Sequence, residues 1–126
     1  MTSNVATAIC AGLLVVTALV HSILGERRLL GPLLDLRIGI LDHSLARFLL
    51  RFVWHFMSVL FAIIAVTLLV GLSSAETARI TLLGATSVGV GGAGVFDALS
   101  TRGRHVGWPL LVLIGVFALL GLVLGL

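Results

Sequence analysis

Four histidines, one aspartate near a helix end and a set of arginines are the side chains here that could do chemistry: His21, His43, His55, His105, Asp97, Arg47 and Arg51. An imidazole can ligate a metal, relay a proton or act as hydrogen-bond donor and acceptor near neutral pH. His21, His55 and Asp97 would supply two nitrogen ligands and one carboxylate, with His105 as a fourth ligand or a partner behind it. Such a set suits zinc or non-haem iron. His21 and His55 could instead be axial ligands of a haem or hydrogen-bond partners of a quinone, with Arg51 and its neighbours holding propionates. Asp97 and the histidines could also relay protons or ions. With none of these roles, Asp97 would pair with Arg51 or Arg47 and the histidines would hydrogen-bond across helices. No spacing as close as that of HExxH is present, so the elements carrying these residues decide whether they meet.

Those elements are membrane spans. The chain has 126 residues, 60% apolar and 10% charged. A soluble domain runs at roughly 45–50% apolar and about 25% charged, and a small one cannot hide this much apolar surface. Four runs approach the roughly 20 residues that a bilayer core requires: Val5–Leu24, Phe52–Leu72, Ile80–Phe96 and Val106–Leu126. We expect one all-α transmembrane domain over 1–126, with spans near 5–25, 46–71, 75–99 and 107–126. The net charge of +3 does not indicate nucleic acid, which needs a basic face on a soluble scaffold; here the arginines sit at the ends of apolar runs. Cys10 is the only cysteine, so no intrachain disulfide forms, and its apolar run makes it a small packing residue.

Charge sets the orientation. No positive charge precedes the first run, and Arg27 and Arg28 follow it, which suits an uncleaved helix with an exported N-terminus. The 1–2 and 3–4 loops hold seven arginines (Arg27, Arg28, Arg37, Arg47, Arg51, Arg102, Arg104), against Arg79 alone on the opposite side. Both termini are expected outside the cell's inner membrane and both basic loops in the cytoplasm. His21, His55 and Asp97 would then lie at one level, roughly 6–8 Å inside their charged boundaries. At 100° per residue, Arg47, Arg51 and His55 share a face of span two with His43 and Ser58. His21 lies on a polar stripe of span one, and Asp97 on a small-residue stripe of span three. Ionisable groups are costly in lipid, so these stripes should face a common interior. Glu26 projects about 140° away from His21 and is assigned to the interface. His43 and His105 fall in loops, where water is an alternative partner.

Local signals set the boundaries. Ser73 and Glu76 fit a capping box opening span three, and Trp108-Pro109 opens span four. Leu33–Leu41, after Gly31-Pro32, reads as a short interfacial helix lying on the membrane. Gly89-Val90-Gly91-Gly92-Ala93-Gly94 has the spacing of a dinucleotide fingerprint, but no strand precedes it and no acid follows Asp97. It is a small-residue helix face that lets a neighbouring backbone approach, with Gly121 and Gly125 as a lesser face on span four.

The stretches His21-Ser22-Ile23-Leu24-Gly25-Glu26-Arg27-Arg28 and Arg51-Phe52-Val53-Trp54-His55 resemble a group of small, uncharacterised four-span bacterial inner-membrane proteins. Those carry HSxxGE at the end of span one and WH in span two. The resemblance implies a bacterial inner-membrane protein and brings no activity with it. Two function classes follow from the residues. One is a membrane protein with a metal or redox-cofactor site at the cytoplasmic side. The other is a non-catalytic protein, an accessory subunit of a larger membrane complex or a small oligomeric ion or solute transporter. The small size favours the second class, or a homo-oligomer.

Overall fold

The computed structural model describes residues 3–124, all-helical with no strand among them. It has four helices: α1 (Asn4–Asp35), α2 (Ser44–Gly71), α3 (Ala75–Thr101) and α4 (Trp108–Leu124). The first three are long and apolar enough to cross a membrane, and α4 is a shorter apolar helix of 17 residues. Trp108 and Pro109 open α4 as their chemistry requires. Ser74, one residue beyond the expected cap, opens α3: its hydroxyl accepts the Thr77 N–H at 3.3 Å. Glu76 turns instead to Arg79, 2.8 Å away on the next turn.

The stretch after span one departs from expectation. Rather than ending near Gly25 and giving way to a separate surface helix, α1 continues to Asp35. Two π-helical turns, Val20–Leu24 and Glu26–Leu30, carry it past the charged residues. Across the second, the Gly31 N–H reaches the Glu26 carbonyl, and Pro32 stands in the first turn of the α-helical stretch that follows. A proline is tolerated in a first turn, so Gly31-Pro32 does not break the helix. At 32 residues α1 is about 48 Å long, well beyond the roughly 30 Å of a bilayer core. The chain reverses through Arg37 and Gly39, both at positive φ (49° and 56°). A 3-10 turn, Gly39–Asp42, then leads into α2.

The helices pair in chain order. α1 lies against α2, α2 against the first half of α3, and α3 runs along α4. α2 and α3 therefore meet at their shared hairpin and diverge toward the other end. The buried apolar residues are mostly alanines (Ala11, Ala18, Ala65, Ala118), with Leu30, Leu34 and Val90. Leucines, valines and phenylalanines face outward: Leu110, Phe117 and Leu99 are 65%, 68% and 75% exposed. Water would penalise such an exterior, while lipid tails would not.

Glycine sets the α3–α4 spacing. A Cβ on Gly115 would sit 2.4 Å from the Gly91 Cα, and one on Gly94 would sit 2.7 Å from the Val112 nitrogen. The Gly89–Gly94 stretch thus brings two backbones together, with Gly115 as its partner. Gly121 only touches the Leu83 side chain at ordinary distance, and Gly125 lies outside the described residues.

Candidate functional site: a helix clasp and an arginine-rimmed cleft

The polar residues form two separate groups. The first joins α1 to α2. His21 and Trp54 stack face to face, ring centroids 4.3 Å apart and 11° from parallel. They also exchange hydrogen bonds with each other's backbone. His21 Nε2–H donates to the Trp54 carbonyl at 3.1 Å, and Trp54 Nε1–H donates to the His21 carbonyl at 2.9 Å. One residue on in each helix, Ser22 Oγ lies 2.7 Å from His55 Nδ1. Glu26 reaches both Arg51, at 2.8 Å, and His55 Nε2, at 3.3 Å. The Trp54 indole lies over Gly25, where a Cβ would come within 2.6 Å of Cζ2. His21, Ser22, Gly25 and Glu26 thus each meet Trp54 or His55. The two stretches that carry the resemblance form one clasp.

The second group joins α3 to the α3–α4 loop. Asp97 is fully buried, and His105 Nδ1–H donates to its Oδ2 at 2.5 Å. Among the described residues, its other oxygen has no hydrogen-bond partner. Neither Arg47 nor Arg51 pairs with it: Arg51 is held by Glu26, and Arg47 Nη1 donates to the carbonyls of Leu41 and Asp42 at 2.6 and 2.8 Å. His105, expected either as a fourth ligand or partner behind the set or with water as an alternative, is engaged by this buried carboxylate.

His21, His55 and Asp97 accordingly do not share one site. Among the described residues, no three His, Cys, Asp or Glu side chains gather as a metal-binding group. Both ring nitrogens of His55 already face partners, and His21 Nε2 is spent on a carbonyl. His21 and His55 are thus each engaged by the neighbouring helix, and no third donor among the described residues completes a metal triad with them. Glu26, which residue-by-residue phase placed away from the site, is central to the clasp. A π turn carries i→i+5 hydrogen bonds and so rotates everything beyond it relative to a uniform α-helix.

The divergence of α2 and α3 leaves a cleft of about 860 Å³, within the roughly 300–1,000 Å³ of small-molecule sites. α2 presents two adjacent rows to it: Arg47, Arg51 and His55, and beside them Phe48, Phe52 and Phe56. The phenylalanines stack in sequence, with centroids 6.0 and 5.8 Å apart, and Phe96 of α3 closes on Phe48 and Phe52 at 6.1 and 6.3 Å. Gly89, Gly92 and Ala93 leave the α3 side without bulk. The extension of α1 supplies the remaining wall through Leu34, Asp35 and Arg37. Sequence reasoning missed this wall, because it hinges on α1 continuing past Pro32.

Compared with family models, with curated proteins and with solved structures, the chain matches none of them.

Proposed function

We propose that this chain is a multi-pass inner-membrane protein with both termini exported, and that it works by binding in the α2–α3 cleft rather than by chemistry at a metal or redox cofactor. Of the two function classes, this is the non-catalytic one. The observation that carries it is the division of the titratable groups. The histidines and acids of the two clusters are engaged in clasps between elements, while the cleft offers space and two arginines, Arg37 and Arg47, outside the ion pairs among the described residues. The seven-to-one placement of arginine supports the orientation, because cytoplasmic loops carry the excess of Lys and Arg. Two of those seven, Arg37 and Arg102, stand at positive φ (49° and 53°), where an L-residue costs roughly 1–2 kcal/mol. A charge placed at an unfavourable backbone position on the same side each time supports a role for the charge itself.

Two measurements test the reading. In a Cys10→Ser background, Ser73→Cys should react with an impermeant maleimide added to intact cells, and Asp42→Cys only after the membrane is opened. The reverse pattern would overturn the orientation. Purified protein should contain zinc and iron well below one equivalent and show no Soret band. A stoichiometric metal or haem lost in both His21→Ala and His55→Ala would restore the cofactor reading.

A further inference from the structure

We infer that the α2–α3 cleft binds an anionic phospholipid, its phosphate between Arg37 and Arg47 and one acyl chain along the phenylalanine ladder. The inference deepens the binding reading above by naming the ligand class.

Charge complementarity carries it. The lining holds Arg37, Arg47 and Arg51 against one acid, Asp35. Arg51 is already matched by Glu26. Among the described residues, neither Arg37 nor Arg47 is in an ion pair. Arg47 spends one nitrogen on two carbonyls, which fixes the direction of its guanidinium without neutralising it. Arg37 is held at the cleft by the left-handed turn that ends the α1 extension. Two uncompensated guanidiniums at one opening suit a phosphate, whose oxygens accept forked N–H donors. With Asp35 at the same opening, one phosphate group fits better than the two or more of a pyrophosphate or nucleoside diphosphate.

The other dimension of the cleft is apolar. Phe48, Phe52, Phe56 and Phe96 line it, and Val59 and Gly89 continue it away from the arginines along α2 and α3. A water-soluble phosphate would leave this wall unused. A lipid uses both ends, and with the arginines at the cytoplasmic headgroup level its chain enters the cleft at the depth it already occupies in the leaflet. The second chain stays in the surrounding bilayer.

The test uses the full chain purified in a neutral detergent, with short-chain lipids as probes. Dioctanoyl phosphatidic acid should bind saturably, dioctanoyl phosphatidylcholine at least about tenfold more weakly, and inorganic phosphate not measurably. Arg37→Gln and Arg47→Gln should each weaken phosphatidic acid binding by about fivefold, the worth of one arginine near an anionic headgroup. Ala93→Leu, which fills the unobstructed wall, should abolish binding, and Arg79→Gln at the opposite end should leave it unchanged. Circular-dichroism melts establish that each variant is folded. Because Arg37 lies in a turn outside the helices, its variant keeps the test decisive if Ala93→Leu fails to fold. Equal binding of the two lipids, binding of inorganic phosphate alone, or undiminished binding by folded Arg37→Gln would each overturn the inference. The assay reads the cleft in detergent and is blind to orientation. Its failure therefore leaves the membrane topology standing, and a reversed topology leaves a positive result standing.

Discussion

Glu26 faces a cation and an imidazole at once, and among the described residues its Oε2 has no hydrogen-bond partner. Glu26→Gln would remove the charge that holds Arg51 and leave the amide to satisfy His55 alone. Arg51 is half exposed, so water recovers part of the loss. We expect a destabilisation of about 1 kcal/mol in a detergent melt, near the upper end for an exposed pair. Gly25→Ala should cost more, about 1–3 kcal/mol, because its methyl would enter the space of the Trp54 ring. The displaced indole would lose both its stacking on His21 and its bond to the His21 carbonyl, and the change should appear as a red-shifted tryptophan emission. An unchanged melt and spectrum would show that Trp54 does not clasp α1. At this scale the sequence was partly legible. His21, His55, Arg51, Asp97 and His105 stand out by type, and Arg47, Arg51 and His55 do line one face of α2. Their partners were not legible. Glu26 was lost because uniform helical phase fails across the π turn Val20–Leu24. Trp54, quoted only as part of a motif, binds through a ring face and a backbone carbonyl, neither of which composition reveals. Asp97 meets His105, offered as a partner behind the set, but without His21 or His55: the α3–α4 loop folds back on its own helix, a distance that span counting cannot measure.

Helix ends and helix contacts carry the next level. α3 stops in a Schellman motif: Gly103 N–H reaches the Ala98 carbonyl at 2.8 Å, and Arg102 N–H reaches that of Leu99 at 3.3 Å. The left-handed position in that motif is usually glycine, and here it is Arg102, at φ 53°. Arg102→Gly should therefore stabilise the protein by about 0.5–1 kcal/mol, the left-handed relief less the entropy glycine adds to the unfolded chain. A lower melting temperature would mean that the Arg102 side chain, not the backbone, holds this end. The opposite sign is expected at the glycine seam. Gly115→Ala places a methyl against the Gly91 backbone, which has no flexible tip to yield. Parting α3 from α4 should cost about 1–3 kcal/mol, read as an earlier melt. The small-residue nature of Gly89–Gly94 was legible in the sequence, since a glycine cluster inside an apolar run has few other uses. The identity of its partner was not: Gly115 is an isolated glycine in α4 and shows no spacing pattern. The cap of α3 was legible to within one residue, because Ser73 and Ser74 offer the same hydroxyl and only the backbone dihedrals choose between them.

At the scale of the whole molecule, the apolar runs indicate four membrane spans, and the described residues form four helices, three of them long and apolar enough to cross a membrane. What they did not indicate is that the helices pair serially instead of enclosing one interior. An apolar exterior and an apolar helix contact look alike in hydropathy, so hydropathy cannot say which faces meet. Serial pairing leaves α2 and α3 parted at the arginine end, and the α1 extension projects there as a third wall. This arrangement makes a geometric prediction about access. Cleavage by a protease needs an extended segment that can be drawn into its active site, which helices resist and loops permit. Arg27 and Arg28 lie in the helical extension and Arg47 and Arg51 in α2, whereas Arg37 sits at a positive-φ turn flanked by the extended Ile38. Arg79, on the other side, is helical and bound to Glu76. Trypsin added to inside-out vesicles should therefore cut first after Arg37 and in the Arg102–Arg104 loop, and right-side-out vesicles should stay intact under the same exposure. Mass spectrometry of the fragments reads both sites. Early cleavage after Arg27 or Arg28 would show that α1 ends near Gly25, which would remove the α1 wall from the cleft. Cleavage after Arg37 from the right-side-out face would place the arginine end outside the cell. An anionic lipid seated between Arg37 and Arg47 adds a further expectation, because it ties the turn to α2: phosphatidic acid should slow the cut after Arg37 while leaving the cut at Arg102–Arg104 unchanged.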